Sequence, residues 1–207
     1  RMGASVVANG GQIVTNKALG IKRISIDTLK VQLQDTSIKG QKVVVAAGAW
    51  SKGLAQQVGD TLPLDTEQGY HLMYKGAEQL LNRPVGWADS GFYMTPMNEG
   101  LRAAGTVELA GLNNAANPKR LKLIAETMKT LLPQLKSHDS EWTGFRPSMP
   151  DSMPVISQSS NDTGVYYAFG HGHIGVTLSG ITGKLICEMI DGKTPSMDIA
   201  AFSAQRF

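Results

Sequence analysis

The 207 residues carry 20 basic and 17 acidic side chains, a formal net charge of +3, and 42% are hydrophobic. That hydrophobic content is enough to bury a core, and the small charge excess lacks the basic cluster that tracks a phosphate backbone, which excludes nucleic-acid binding. The single cysteine, Cys187, excludes an internal disulfide framework and favours a reducing compartment. Its apolar surroundings predict a buried thiol. No stretch approaches the ~18 apolar residues of a transmembrane helix.

The first part of the chain predicts short helices and strands. Residues 5–14 predict the end of a helix, a glycine turn and a strand. The alternating runs 20–26 and 28–33 predict a β-meander. The β-branched run 42–47 has no polar face, which is typical of a strand buried on both sides in a parallel or mixed sheet. Ser51 is then placed to cap the short helix that follows.

The middle of the chain predicts a sheet and one long helix. Alternating large residues in 64–74 predict a half-buried strand, and the runs 92–95 and 101–107 predict a hairpin. Asn117 caps the clearest helix in the chain, and Pro118 occupies its first turn.

The last third predicts a buried strand at 164–169, a glycine-rich turn, and a helix from about residue 178 to residue 190. Gly180 and Gly183 lie inside that helix, which predicts close packing against other backbone. Gly192 lies where a C-terminal cap belongs.

The glycine-rich turn, Gly170-His171-Gly172-His173-Ile174-Gly175, satisfies G-x-G-x-x-G; we name it the glycine loop. A dinucleotide site would need a second parallel strand ending in an acidic residue about 20 positions on, and the run to Phe207 leaves little room for one. The loop can still stabilise an anion or a polarised carbonyl, because free N–H groups gather at a helix N-terminus. A metal site is disfavoured, since His71 and His138 are too distant in sequence to complete a His-x-His pair.

A set of segments resembles one known family in order and spacing. Together they resemble the FAD-dependent oxidoreductases of the D-amino-acid oxidase superfamily, and among these they are most similar to the bacterial D-amino-acid dehydrogenases of the small-subunit type. The matching segments are KVVVAAGAWS (42–51), LPLDTEQGYHL (62–72), GTVELAG (105–111), EWTGFRPSMPDSMPVI (141–156) and VYYAFGHGHIGVTLSGITGKLICEMI (165–190).

The resemblance implies an α/β (α+β) fold in which two domains are interleaved. Residues 1–60 would be a partial FAD-binding domain, 61–145 a substrate-binding domain with a mixed β-sheet and a helix at 118–132, and 146–207 a return to the FAD-binding domain. The family's first G-x-G-x-x-G unit, which holds the ADP of the cofactor, has no counterpart here. We therefore expect that the missing N-terminal half is needed, and that these residues alone bind no FAD and are inactive.

The resemblance also implies roles for individual residues. Arg146 would bind the substrate carboxylate, since a guanidinium forms two parallel bonds with one; the alternative is an arginine that packs a domain junction. Tyr70 and His173 would face the substrate, although Tyr70 is as well explained by packing and His171 could take the place of His173. The remaining candidates would contact the cofactor; they are Ala47, Gly48, Trp50, Gly170, His171, Gly172, His173, Ile174, Gly175, Val176 and Thr177.

The implied reaction is the oxidation of a D-amino acid or related amine to an imine by hydride transfer to flavin. The open alternatives are a glycine, sarcosine or hydroxyproline type of amine oxidase, a non-catalytic ligand-binding module, and a Rossmann NAD enzyme, which a strand after Ile190 would favour. We expect a small-molecule amine substrate and a cytoplasmic protein. Peripheral attachment at the inner face of the plasma membrane, with a quinone acceptor in place of oxygen, is open, as is the oligomeric state.

Overall fold

The computed structural model of this protein describes residues 1–89 and 91–207. Within these residues the chain forms four α-helices and eleven strands, joined by turns and short 3₁₀ segments. In chain order they are α1 (Met2–Ala8), β1 (Ala18–Ser25), β2 (Thr28–Leu33), β3 (Ser37–Gly40), β4 (Val43–Val45), α2 (Ser51–Val58), β5 (Asp65–Tyr74), β6 (Val85–Trp87), β7 (Phe92–Met97), β8 (Gly100–Leu109), α3 (Pro118–Leu131), β9 (Ser140–Ser148), β10 (Val155–Gln158), β11 (Val165–Phe169) and α4 (Gly175–Ile190). The predicted α/β fold class is confirmed.

Residue contacts group the chain into two compact units. The first unit is made of Arg1–Leu62, Val155–Ala168 and Ile181–Phe207, and the second of Pro63–Pro154 and Phe169–Gly180. Each unit is therefore assembled from separate stretches of chain. The units are defined by contacts alone, so the FAD-binding and substrate-binding domains stay predictions.

The first unit contains two three-stranded sheets. Strands β1, β2 and β3 form the predicted antiparallel meander. The other sheet has the order β10-β11-β4, and β4 pairs parallel with β11, as its apolar run predicted. Burial of β4 on both faces was wrong, because Val45 is buried whereas Val44 is 40% exposed. A β-branched run reports strand propensity, which does not by itself decide how many faces are covered.

A buried carboxylate ties two segments of the first unit together. Asp60, at the end of α2, is 6% exposed. It accepts hydrogen bonds from the hydroxyls of Ser159, Ser160 and Tyr167 and from the side-chain amide of Asn161. Burial by itself would raise the pKa of Asp60, but these four donors stabilise the charged form and hold the pKa below its ordinary value.

Other local predictions in the chain were wrong for identifiable reasons. Residues 12–14 form no strand. Ser51 does not cap α2, because it is the first helical residue, fully buried, with its hydroxyl unpaired. Cys187 is exposed rather than buried. A Cβ added at Gly180 or Gly183 would meet no atom within 4 Å, so neither glycine serves close packing.

The second unit is a five-stranded antiparallel sheet with α3 against one face. Its strand order is β6-β7-β8-β5-β9, and β7 and β8 form the predicted hairpin. Helix α3 begins at Pro118, and Asn117 caps it by accepting a hydrogen bond from the Lys119 N–H, as predicted. The helix-facing side of the sheet and α3 together bury the core, which contains Tyr70, Leu72, Tyr74, Ala77, Phe92, Met94, Leu101, Ala103, Leu121, Ile124 and Met128.

Helix α4 starts three residues before its predicted beginning. Its C-terminus agrees with the prediction: Gly192 has φ +70°, and the Lys193 N–H donates to the Glu188 carbonyl at 2.8 Å. Residues 191–207, all described, contain 3₁₀ turns and no strand. The strand that a Rossmann NAD site would need after Ile190 does not form. No helix in the described part of the chain is long and apolar enough to cross a membrane.

Candidate functional site

The candidate site lies on the face of the five-stranded sheet opposite α3, which we call the open face. Side chains alternate along β5, so one set enters the core and the other set reaches this face. Residues directly opposite on a neighbouring antiparallel strand share a face. On the open face Glu67 lies opposite Arg146, Gly69 opposite Gly144, and His71 opposite Trp142.

The guanidinium of Arg146 carries a buried donor that has no acceptor among the described residues. Its head group covers Gly69: a Cβ added there would lie 2.6 Å from both Cζ and Nη2. The Nη1 atom is buried and has no hydrogen-bond acceptor, and among the described residues Arg146 forms no ion pair. A buried unsatisfied donor costs about 1–3 kcal/mol, and more when it is charged. An anionic group bound at Arg146 would remove that cost.

Glu67 links the glycine loop to the same face. Its Oε2 lies 3.2 Å from Nε2 of His173, and the His173 side chain is 62% exposed. The loop is also held by its backbone, because the Gly172 N–H donates to the Pro147 carbonyl at 2.8 Å and His171 forms an isolated bridge with Ser148. The sheet therefore brings the predicted residues His173 and Arg146 together at one end of the open face.

The middle of the open face is formed by two aromatic side chains. The rings of His71 and Trp142 are stacked, with centroids 4.9 Å apart and planes 17° from parallel. Burial lowers the pKa of His71, and the charge of Arg102 lowers it further. Gly144 leaves room for the indole, since a Cβ there would lie 2.9 Å from one of its ring carbons. Trp142 remains 53% exposed.

Tyr70 does not lie on the open face, which corrects its predicted role as a substrate contact. Its ring is 1% exposed in the core beneath α3. The hydroxyl donates to Glu108 at 2.8 Å and accepts from the Asn117 N–H at 3.1 Å. Tyr70 therefore anchors the start of α3 to the sheet, which is the packing alternative that the sequence left open.

The glycine loop and the first turn of α4 form a second part of the site. Gly170 and Gly172 have φ values of +81° and +54°, which other residues adopt only with strain. The first N–H bonded inside this helix segment is that of Leu178, to the Ile174 carbonyl. The N–H groups before it belong to Gly175, Val176 and Thr177, and a helix offers them no internal acceptor.

Side chains around that first turn are mostly open to solvent. Val176 is 93% exposed and Ile174 is 50% exposed. His171 is half-buried, and burial lowers its pKa. The turn thus combines N–H donors that have no acceptor within the helix with apolar side chains, which suits the polar edge and flat ring of a planar ligand.

The remaining predicted cofactor contacts lie in the first unit. Ala47 and Gly48 follow β4, where Gly48 has φ +55° and open space at its Cβ position. Trp50 is 60% exposed, so it does not belong to the core. A backbone that turns through a left-handed glycine into free space can approach a ligand closely.

Several residues of the open face were missed from sequence. They are Glu67, Gly69, Arg102, Trp142 and Gly144. A glycine in the interior of a strand often marks a close approach of another group, and Gly69 and Gly144 both give that signal. Their meaning appears only when β5 and β9 are paired. Among the described residues, no group of three His, Cys, Asp or Glu side chains could hold a metal ion.

Comparisons with known proteins agree on one family. The family model described as DAO, FAD dependent oxidoreductase, matches residues 2–189. A D-amino-acid oxidase of Bradyrhizobium diazoefficiens is 40% identical over 97% of this chain and 49% of its own length. A D-amino acid dehydrogenase of Paramagnetospirillum magneticum is 29% identical over 84% of this chain and 42% of its own length.

A solved structure gives the same result for the fold. The glycine oxidase of Bacillus cereus superposes with a TM-score of 0.78 and 26% identity, covering 92% of this chain and 53% of that one. The chain spans about half the length of the curated relatives that it matches.

Proposed function

Because the chain belongs to the FAD-dependent oxidoreductase family, we propose that the complete protein oxidises a D-amino acid or a related amine to the imine. Two relatives carry the names D-amino-acid oxidase and D-amino acid dehydrogenase. The observation that carries the proposal is the Nη1 donor of Arg146 on the open face, which is buried and has no acceptor in the described part of the chain. An amino-acid substrate must be held by its carboxylate, and a guanidinium is the side chain best suited to that geometry.

In this proposal Arg146 holds the substrate by its carboxylate. Two parallel N–H to oxygen bonds fix both the position and the plane of a carboxylate. The Nη1 donor, unpaired in the protein alone, is then satisfied. Orientation of this kind is the main contribution that a protein makes when a bound cofactor carries out the redox step.

Glu67 would contact the other polar group of the substrate. It lies directly opposite Arg146 on the neighbouring strand, on the same face. An amine attached one carbon from a carboxylate held by Arg146 would be within reach of an acceptor at this position. His173, 3.2 Å from the Glu67 carboxylate, would keep that acceptor in place.

The residues present fit FAD, which as the bound cofactor would supply the two-electron oxidation. The fit rests on the free N–H groups of Gly175, Val176 and Thr177 and on the exposed apolar side chains beside them. Donors at a helix N-terminus stabilise negative charge on a bound ring. We assign Gly170 through Thr177 to the ring and Ala47, Gly48 and Trp50 to a separate cofactor contact. We also propose that the 207 residues by themselves retain no stoichiometric flavin, which the visible absorbance of the purified chain measures.

The test is a substrate screen on the complete flavoprotein and its Arg146→Gln variant. We expect D-amino acids to reduce the flavin under anaerobic conditions, and R146Q to lower kcat/KM by about 100-fold or more, since a charged hydrogen-bonded pair is lost. The matched control is Arg83→Gln, which changes an exposed arginine. If R146Q and R83Q behave alike, Arg146 does not bind substrate.

The same screen separates the alternatives. Reduction by glycine or sarcosine, without reduction by larger D-amino acids, would replace the main proposal with the glycine oxidase activity named for a neighbour of the same fold. Ligand binding without flavin reduction by any amine would favour a non-catalytic module. Oxygen uptake measured against reduction of a quinone analogue identifies the acceptor. Cell fractionation tests the cytoplasmic and peripheral membrane locations.

A further inference from the structure

We propose that Arg102 receives a second acidic group of the substrate, so that the complete protein prefers dicarboxylic amino acids. This rests on the proposed function, because it assumes that Arg146 holds the first carboxylate.

Arg102 lies on the open face. In β8 it is directly opposite Met73 of β5, and Met73 is two residues from His71 on the same side of that strand. The residues on either side of Arg102, Leu101 and Ala103, are fully buried in the core beneath α3. Alternation along β8 therefore directs Arg102 away from α3 and toward the aromatic middle of the open face.

Arg102 also has donor capacity that the protein does not use. Its Nε is buried and unpaired, and within the described part of the chain it forms no ion pair. Its charge reaches His71, because it lowers the pKa of that imidazole. Arg102 thus resembles Arg146, because each has a buried N–H without an acceptor among the described residues. Two such arginines on one face indicate a ligand with two anionic groups.

The spacing of the two arginines suits a short dicarboxylate. The Arg146 guanidinium covers Gly69, whereas Arg102 lies opposite Met73. Four residues of a β-strand span about 13 Å, so the backbone of Arg102 lies about that far along the strand direction from the Arg146 guanidinium. The charge of Arg102 acts on His71, midway between Gly69 and Met73, so its side chain reaches back into this interval. The shortened interval suits a short dicarboxylate joined at each end by charge-assisted hydrogen bonds of about 2.8 Å.

The surface between the arginines suits the carbon chain of such a substrate. It is formed by the stacked rings of His71 and Trp142, which present flat, uncharged area. Glu67, the acidic residue nearest Arg146 in the strand pairing, is engaged by His173. It therefore lies at the end of the face where a substrate amine is expected, and away from Arg102.

The test measures specificity in the complete flavoprotein. For D-aspartate and D-glutamate we expect Arg102→Leu to lower kcat/KM by about 30-fold, the loss expected when a charge-assisted hydrogen bond is removed. For D-asparagine and D-alanine we expect a change of less than about 3-fold. Arg102→Lys keeps the charge and should recover part of the activity toward the acidic substrates. Arg83→Leu, at an exposed arginine, is the matched control.

A binding measurement supplies a readout that does not depend on turnover. Succinate bound across both arginines would neutralise the charge beside His71 and raise the pKa of its imidazole. NMR of labelled histidine at a series of pH values measures that pKa. Acetate occupies only one arginine and should leave that pKa much less changed. In R102L the succinate effect should disappear.

The outcomes separate this proposal from the one on which it rests. If D-amino acids are oxidised but R102L lowers kcat/KM equally for acidic and neutral substrates, Arg102 is not a specificity residue. Only this proposal then fails. If no amine is oxidised at all, the proposed function fails, and succinate binding then decides about Arg102. An Arg102-dependent shift of the His71 pKa supports the subsite. No shift overturns it.

Discussion

At the scale of single residues, the open face shows how absent side chains create a site. Gly69 and Gly144 lie opposite each other on β5 and β9. The space left by the missing Cβ of Gly69 is filled by the guanidinium of Arg146, and that at Gly144 by the indole of Trp142; both side chains come from β9. Both groups are thus laid flat on the sheet, where a ligand can reach them. The position of the arginine depends on a residue that contributes no atoms of its own to binding.

This dependence makes Gly69→Ala a sensitive test. The added Cβ would lie 2.6 Å from Cζ and Nη2 of Arg146, so the guanidinium must move. Because that head group is the flexible end of a long side chain, we expect little loss of stability. We expect KM for a D-amino acid to rise by about 10-fold or more, since a carboxylate fork tolerates little displacement.

Thermal unfolding and steady-state kinetics of the complete protein check the two halves of this expectation. The control is Gly53→Ala, where the new Cβ meets no atom within 4 Å. A large fall in Tm with an unchanged KM would mean that Gly69 serves packing and does not position Arg146.

At the scale of elements, α3 is fixed to the sheet through its first residues. Asn117 accepts from the Lys119 N–H with its side-chain oxygen and donates to Glu108 with its amide nitrogen. Its backbone N–H donates to the Tyr70 hydroxyl. The start of the helix is thereby bonded to β5 and β8. This arrangement satisfies the hydroxyl of the buried Tyr70 and holds the start of α3 against its face of the sheet.

We expect Asn117→Ala to reduce the unfolding free energy by about 1–2 kcal/mol, the usual cost of losing an N-cap. Urea unfolding followed by circular dichroism measures this change. Asn113→Ala, at an exposed position before the helix, should change stability by less than about 0.5 kcal/mol. Equal effects from both substitutions would show that the cap and its bonds to Glu108 contribute nothing specific.

The first turn of α4 exposes apolar side chains that do not pack into a core. Val176 is 93% exposed at its second helical position. An acidic residue is favourable there for the helix, because the N-terminus carries partial positive charge. Val176→Glu is therefore expected to leave Tm unchanged or slightly raised.

The same substitution should weaken flavin retention in the complete protein, since a carboxylate would compete for the free N–H groups and repel negative charge on the reduced ring. Flavin content after dialysis measures the effect, with Ser179→Glu, one turn further along and exposed, as the control. Full flavin content in V176E would remove the first turn of α4 from the cofactor site.

At the scale of the whole molecule, the two units carry different titrating groups. In the second unit burial lowers the pKa of His71 and of His171 below the ordinary value of 6.5. In the first unit four donors lower the pKa of Asp60 below its ordinary value of 3.8. All three groups bind a proton more readily in the unfolded chain. Acid therefore destabilises both units, and the second unit begins to lose stability at a higher pH because it holds the two histidines.

We expect the unfolding free energy to be greatest above about pH 6.5 and to fall as the pH drops below it, while the two histidines protonate preferentially in the unfolded chain. A second fall is expected below about pH 4, as the pH passes through the lowered pKa of Asp60. Hydrogen exchange at pH 7.5, 5.5 and 3.5 shows which residues lose protection in each of the two falls in unfolding free energy. The second unit should lose protection first.

The double variant His71→Gln, His171→Gln should flatten the upper part of this profile and leave the lower part unchanged. Asp60→Asn should lower stability at every pH above about 4, because its amide cannot accept from all four donors. A profile with one single transition, unaffected by the histidine changes, would contradict this assignment.

Much of the secondary structure followed from local pattern. The helix at Pro118 was predicted because its cap, its proline and its apolar periodicity all agree, and the hairpin at β7 and β8 because turn residues separate alternating runs. The predictions for Ser51 and Cys187 were wrong because a serine can occur at a cap or inside a helix, and a cysteine in a core or on a surface, according to its neighbours in space. Local sequence does not record those neighbours.

The amino-acid sequence by itself determined the α/β class and the family, because order, spacing and rare residue combinations carry that information, and it singled out Arg146 and the glycine loop as candidates. The tertiary structure alone decided which side chains share a face. It placed Tyr70 in the core and Arg146 on the open face, with Glu67 and His173 beside it. The physical reason is that strand pairing and register, together with the alternation of side chains, determine which distant residues meet. The role proposed for Arg102 depends on that pairing.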